Sequence, residues 1–468
     1  MPLIQRPGRD QRLPAAPVRR ARRNALFPKI LLLAAFLHTA WVHAGPTSLT
    51  LDEAVAAALA HARQLPANAA RARAAQEQAV AAGQRPDPVL RLALESLPIN
   101  GPNAWSTTRD FMTMRSVGIM QTLPSEAKRS ARAARLNAQA DAVLSESGTL
   151  ASEIQRSAAD TWLQARAARQ RLEVLQAQHS EARREALAAE AALRSSRVPQ
   201  ADWLNAQDRI WQLEQQLVQR RAEEAAALDA LARWTGVPAL PTSTSAVTLA
   251  GAPALSDTPS LEELLARHPA LQLLQSRRQA AEAAAELADL ERRPDWSVEV
   301  MLSQRGPQYS DMVTLGVSVP LAWNRAHRQD RELAAALASA ESVSEELLEA
   351  ERALFLQLQE WQHRARAAQQ RLAIIDTHRL PLAQQRVEAV LASYRSGTAS
   401  LVDVLATRQQ ILSLQLERIE AELEGERMRA SLYYLLPRTA PPQAAAPDAL
   451  PATTLGTTPT ATAPETQP

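Results

Sequence analysis

The chain has 468 residues, 46% apolar and 22% charged, with 30 prolines, 13 glycines and no cysteine. A chain without cysteine excludes disulfides, thiolate metal sites, a cysteine nucleophile and lipid attachment to an N-terminal cysteine. Residues 1–44 carry eight basic side chains against Asp10, a charge of +7; with the whole chain at +2, the remainder carries −5 and offers no electrostatic footprint for nucleic acid.

The basic stretch leads into Ile30-Leu31-Leu32-Leu33-Ala34-Ala35-Phe36-Leu37 and then Val42-His43-Ala44. A positive segment, a short apolar core and a small-x-small site predict a secretory signal over 1–44, cleaved after Ala44. The run is too short and too polar at its ends for a membrane anchor. No later stretch approaches the ~18–20 apolar residues of a spanning helix. A mature chain that crosses a membrane must therefore do so as a β-barrel.

The body is one unit written twice. Arg85-Pro86-Asp87-Pro88 recurs as Arg293-Pro294-Asp295-Trp296. Each copy ends an Ala-rich helical stretch (about 50–84 and 260–292) and precedes two short alternating segments. Very long Ala/Leu/Glu/Arg/Gln stretches follow at 125–194 and 325–394. Each is expected to run unbroken apart from a bend, about 100 Å long at 1.5 Å per residue. Breakers end them, Val198-Pro199 and Ser396-Gly397-Thr398, and second helical runs follow at about 201–235 and 401–436. The repeats are placed at 45–236 and 260–436, with a Pro/Thr/Ser-rich linker at 237–259 and a disordered Pro/Thr/Ala-rich tail at 437–468. Helices this long must pack lengthwise against neighbours to hide their apolar stripes.

Four segments alternate with period two. The clearest are Val89–Glu95, 296–303 and 312–321, each about the length a tilted strand needs to cross a bilayer. Trp105, Phe111, Trp296, Tyr309 and Trp323 sit near their ends, as interfacial aromatics would. Alternation alone does not separate this reading from a small soluble sheet with one buried face. Four strands cannot close a barrel, and an open sheet in lipid would leave unpaired edges. A bilayer reading therefore requires an oligomer, and three chains supply twelve strands.

These features together resemble the TolC family of outer-membrane efflux channels. The segment Tyr394-Arg395-Ser396-Gly397-Thr398-Ala399-Ser400-Leu401-Val402-Asp403-Val404-Leu405 is similar to the family's periplasmic-tip turn, and Arg197-Val198-Pro199-Gln200-Ala201-Asp202-Trp203-Leu204 is its weaker first-half counterpart. Leu49-Thr50-Leu51-Asp52-Glu53-Ala54 looks like the family's start. The resemblance implies a mainly α fold with a small β part. Four strands per chain would form a 12-stranded transmembrane barrel in a homotrimer, continued by a periplasmic α-helical barrel. It also implies an outer-membrane location, docking onto a periplasmic adaptor and an inner-membrane pump of the RND type, and passive conduction without catalysis or cofactor. At the tip, Tyr394, Gly397, Asp403 and Asp202 take the family's places. The usual Arg after the Gly is Ala399 and a second Asp is Ala406, which puts an Arg–Asp latch in doubt. Asp403 also reads as a helix N-terminal charge, and Gly397 as a turn residue with positive φ.

Met112, Met114, Met120, Met301 and Met312 lie in or beside the strand segments. Aligning Gly118 with Gly316 puts them on the polar face, which in a barrel faces the lumen. Thioether is a soft ligand suited to Cu(I) or Ag(I); methionine also simply fills irregular space. The same phase puts Arg115 on the lipid side, where it must snorkel. The stretch 111–121 also looks like the family's heavy-metal branch, which favours export of metals such as Cu, Ag, Co, Zn or Cd over drug efflux or type I secretion. No metal site is assigned. A soluble periplasmic coiled-coil adaptor is the rival from another class, and would lack duplicated strand pairs with aromatic ends. No hydrolase, nucleotide-binding or zinc-protease motif occurs in a usable context.

Overall fold

The computed structural model describes residues 48–436 apart from 197, 237, 239 and 242–264; the expected signal, most of the linker and the tail lie outside the described residues. After β1 (Ser48–Leu49) come α1 (Leu51–His61) and α2 (Gln64–Ala82). A capping box starts α1: Thr50 accepts the Glu53 N–H, and Glu53 accepts the Thr50 N–H at 2.8 Å. The expected single helix over 50–84 is broken at Ala62–Arg63. Pro66 explains the break, because a continuous helix would push its ring against the Ala62 carbonyl, whereas a fresh start places it in the first turn of α2.

Strands β2 (Val89–Glu95) and β3 (Met114–Leu123) lead into α3 (Glu126–Arg194). This helix has 69 residues, about 100 Å. Ser125 caps it by accepting the Lys128 N–H. α4 (Gln200–Thr235) returns alongside, and β4 (Leu240–Pro241) pairs in parallel with β1. The second repeat gives α5 (Pro269–Glu291), β5 (Trp296–Gln304), β6 (Met312–Ser318), α6 (Gln329–Ile374), α7 (Leu380–Arg395) and α8 (Leu401–Tyr433).

The second long stretch is not the unbroken helix expected from 325. It opens with a 3-10 turn, Arg325–His327, and is interrupted by a π-turn, Ile375–Arg379. Pro381 lies inside this stretch. That residue lacks an N–H and would clash with the Thr377 carbonyl, and the wider π-turn just before it relieves the clash. β6 likewise stops at Ser318, two residues before Pro320, rather than at 321.

Helix α3 is the spine. Near its middle Ile154, Trp162 and Leu163 join Leu51 and Val55 of α1, Leu231 of α4 and Ile419 and Leu423 of α8 in the largest apolar cluster. The Trp162 indole donates to the Leu49 carbonyl at 2.9 Å and so ties β1 to the spine. Towards the breakers, Ala186 and Ala189 meet Ala206, Leu401 and Val404. Alanine at the facing positions lets four helix ends from two repeats approach closely. At the opposite end the sheet has the order β2-β3-β5-β6, antiparallel throughout, so the two repeats are joined edge to edge at β3–β5. Lys128 locks this joint to the helices: its buried ammonium donates to Asp295 at 2.7 Å and to the Arg293 carbonyl, both in the repeated Arg-Pro-Asp segment.

Candidate functional site

The sheet has two chemically distinct faces, fixed by the register. Arg91 pairs with Gly118, Gly118 with Met301, and Met301 with Thr314. Opposed residues share a face, so one face carries Arg91, Glu95, Ser116, Thr122, Ser297, Glu299, Ser303, Thr314 and Ser318. The other carries Leu90, Leu92, Leu94, Val117, Ile119, Val298, Val300, Leu302, Val313, Leu315 and Val317. The apolar face is bare, with Leu92 72% and Leu315 76% exposed, whereas Ser116 and Ser303 on the polar face are buried and share a hydroxyl–hydroxyl hydrogen bond of 2.8 Å. A soluble sheet buries its apolar side. Among the described residues nothing covers it, which argues against the reading as a soluble sheet with one buried face.

The breaks in the apolar face fall at its ends. Arg115 is the second residue of β3, paired with Leu94 and Gln304, and its guanidinium reaches the Arg305 carbonyl in the neighbouring loop. Its position at the strand end removes the conflict expected for a charge on this face. Gln121, near the other end, donates to the Pro86 carbonyl at 2.7 Å. Trp105, Phe111, Trp296 and Trp323 are exposed beside the strand ends.

Four of the five candidate methionines take the expected face. Met120 pairs with Glu299, Met301 with Gly118, Met312 with Ser303, and Met114 with Glu95. Met120, Met301 and Met312 form a staircase, one per strand, each step two residues nearer the 305–311 loop than the last. Met112 is different. It precedes β3 in a bend where its N–H donates to Asp110, so it belongs to the loop and not to the strand. Gly118 is needed beneath the staircase: a Cβ there would lie 2.9 Å from the Val300 carbonyl oxygen and 3.2 Å from the Met301 Cβ. The gap also lets Arg91 reach across β3 to Glu299 at 3.2 Å. Among the described residues no cluster of three His, Asp or Glu could hold a metal ion.

At the far ends of the helices the two repeats meet. Tyr394, at the end of α7, packs on the cluster of Leu401 and Val404, and burial followed by the negative charge of Asp202 pushes its phenol up. Tyr394 of the second repeat thus feels the charge of Asp202 of the first. Asp403 does something else. Its carboxylate accepts the Ser400 N–H at 3.0 Å and the Ser400 hydroxyl at 2.7 Å, and its own N–H donates back to Ser400. This capping box holds its carboxyl below the usual carboxylate range. Gly397 has φ +79°, as expected. Its first-half counterpart is Ser196, two residues past the end of α3, at φ +54°. Nothing in the residue type announced that position.

One tie near the tip has no sequence signal. Arg408 of α8 donates to Glu185 of α3 at 3.1 Å and lies 3.9 Å from Glu181. Burial pushes Glu185 up, and Arg408 pulls it back. The tie stands two residues past Ala406, where the family's second Asp is missing. A pairing across 223 positions leaves no local pattern.

Residues 260–437 match the family model of the outer membrane efflux protein. No curated protein matches the chain. Among solved structures, CusC superposes with a TM-score of 0.69 at 16% identity, covering 82% of this chain and 91% of its own. The outer-membrane channel OprN gives 0.68 at 19% identity, covering 83% and 90%. CmeC, the outer membrane channel of Campylobacter jejuni, gives 0.69 at 12% identity, covering 83% and 85%. These likenesses extend over both repeats and establish the fold, with its helical and strand parts in one chain.

Proposed function

We propose that the chain, whose residues 260–437 match the outer membrane efflux protein family, is the passive outer-membrane exit duct of a tripartite efflux system, its cargo heavy-metal cations such as Cu(I) and Ag(I) or Co, Zn and Cd. The observation that carries the duct is the inverted sheet. Its apolar face is bare and fits lipid, and its polar face fits a wet lumen. Among the described residues both outer strands, β2 and β6, have a free edge, which hydrocarbon forbids. Three copies pairing edge to edge supply twelve strands and leave no edge.

The helices support the same assembly. Leu204, Trp211 and Val218 recur every seven residues on α4 and are exposed; Leu356, Ile374 and Leu382 on α6 and α7 are exposed as well, without that spacing. Seven-residue spacing of bare apolar side chains is the pattern of a helix awaiting a lengthwise neighbour. Packed copy against copy, these flanks form an α-helical tunnel below the barrel. The tip, with Tyr394, Asp202, Gly397 and Asp403, is then the end that meets a periplasmic adaptor and, through it, a pump of the RND type. Energy comes from the pump, since the chain's role is conduction and not catalysis. The leader at 1–44 delivers the chain across the inner membrane.

The metal cargo rests on less: the resemblance of 111–121 to the heavy-metal branch, and the thioethers of Met114, Met120, Met301 and Met312 on the lumenal face. Membrane fractionation followed by mass determination of the detergent-extracted protein tests the duct. An outer-membrane trimer is expected, and a soluble periplasmic monomer overturns it. For cargo, a deletion strain should lose tolerance to silver and copper and regain it with the gene. Unchanged metal tolerance together with lost tolerance to organic drugs moves the cargo to organic solutes.

A further inference from the structure

The chain contains one joint between a first repeat and a second, at β3–β5. An assembled ring needs the mirror joint, β6 of one copy against β2 of the next. The internal duplication specifies its register. Gly118 of β3 corresponds to Gly316 of β6, and Arg85-Pro86-Asp87 before β2 corresponds to Arg293-Pro294-Asp295 before β5. Gly118 pairs with Met301. Carried through the repeat, Gly316 takes the place of Gly118 and Ala93 takes the place of Met301.

We propose that copies of this chain join with Gly316 opposite Ala93 of the next copy, and hence Thr314 opposite Glu95 and Ser318 opposite Arg91. This rests on the trimeric-duct reading and deepens it by fixing how one copy recognises another. Three features agree. The paired residues share a face, so Leu315 meets Leu94 and Val317 meets Leu92 on the lipid side. Ser318 and Thr314 meet Arg91 and Glu95 on the lumenal side, with no like charges opposed. Gly316 is open towards the free edge: a Cβ there touches only Glu299 of its own chain, at 3.7 and 3.8 Å, where Gly118 in the closed joint is crowded.

Ring closure gives an independent check. Following pairs from Val89 leads to Met120, Glu299, Gly316 and then Ala93 of the next copy. Each copy therefore advances the register by four residues, twelve around the ring. That is about 40 Å of stagger over a circumference of about 58 Å, a strand tilt of about 35°. A slip of two residues either way gives about 19° or about 46°. Transmembrane barrels tilt by roughly 35–45°, so ring closure excludes the slip to about 19° and is compatible with the register read from the repeat; the repeat itself decides between that register and the slip to about 46°.

The chain has no cysteine, so disulfide trapping is free of background. Ala93→Cys with Gly316→Cys would be made in the full-length protein, alongside two slipped pairs, Ala93→Cys with Thr314→Cys and Ala93→Cys with Ser318→Cys. After mild oxidation in outer-membrane fractions, non-reducing gels read the covalent product. Opposed positions lie within disulfide reach and diagonal ones do not. The Ala93/Gly316 pair should link most of the protein into a covalent trimer, reversed by reductant, and the slipped pairs about a tenth or less. Stronger linkage by either slipped pair overturns the register while leaving the trimer intact. Linkage by none, in variants that still extract as trimers, also overturns it. Linkage by none with monomeric protein removes the trimeric reading itself.

Discussion

Burial of His268 makes one part of the acid sensitivity traceable to a single side chain. The residue caps α5, its Nδ1 accepting the Ala270 N–H at 3.2 Å, so the imidazole is neutral with its proton on Nε2. Burial, and then the nearby Arg156 guanidinium, lower its pKa from 6.5 to about 4. The folded value lies below the unfolded one. Between them the unfolded chain binds the extra proton, so stability is complete above pH 6.5 and is lost as the pH falls towards 4. A shift of that size corresponds to roughly 3 kcal/mol at the acid end of the window. His268→Asn keeps an acceptor for Ala270 and removes the titration. Guanidinium unfolding of the detergent-solubilised protein, followed by helical circular dichroism at pH 7.5, 5.5 and 4.0, should show the variant losing about 3 kcal/mol less than wild type across that range. Identical pH slopes would refute the reasoning, because other carboxylates titrate equally in both proteins.

Arg166 is 4% exposed and donates to Glu422 at 2.7 Å and Glu426 at 3.1 Å. Arg166→Ala strands buried carboxylates and should cost about 3–5 kcal/mol in the same unfolding assay. Burial already raises the Glu426 carboxyl, so the variant's deficit should shrink as falling pH protonates it. Gly397→Ala should cost about 1–2 kcal/mol, whereas Ser196→Gly relieves the same left-handed strain and should raise the unfolding midpoint by the equivalent of about 0.5–1 kcal/mol. Asp403, held below the usual carboxylate range by Ser400, adds stability that is present above the ordinary carboxylate pKa and lost as the pH falls through its lowered value. Asp403→Asn should therefore flatten that acid limb in a helicity-against-pH curve.

The repeat, the faces of the strands and the ends of α3 were legible because each is a local pattern. The start of the Ala-rich run at Ser125 and the breaker Val198-Pro199 past Arg194 mark a start and a stop within a few residues. Alternation in Val89–Glu95 fixed both the strand and its face. What stayed hidden is of two kinds. Pro66 and Pro381 were visible letters, but whether a proline ends a helix or widens one turn depends on the packing of the turn around it. Arg166 with Glu426, Arg408 with Glu185 and Lys128 with Asp295 join residues 167 to 260 positions apart, and their pairing exists only once the two repeats stand side by side. At the tip, Tyr394 feels the charge of Asp202, whereas Asp403, the residue the family pattern sets beside it, is engaged in capping its own helix. A substitution there would mix helix stability with any effect on conduction.

The isolated chain also shows why folding and assembly belong together. Its helical spine is well provided with buried apolar side chains and paired charges, and can form early from local contacts. The sheet cannot. One face offers bare leucine and valine to water, and two edges offer unpaired backbone to any passing strand. Lipid covers the face but makes the open edges intolerable. A second copy closes one edge and leaves another. Only ring closure removes both penalties at once, so the strand pairing between copies and entry into the bilayer are expected to be a single cooperative event. The helices of neighbouring copies, aligned by their bare stripes, would hold the strands in register while it occurs.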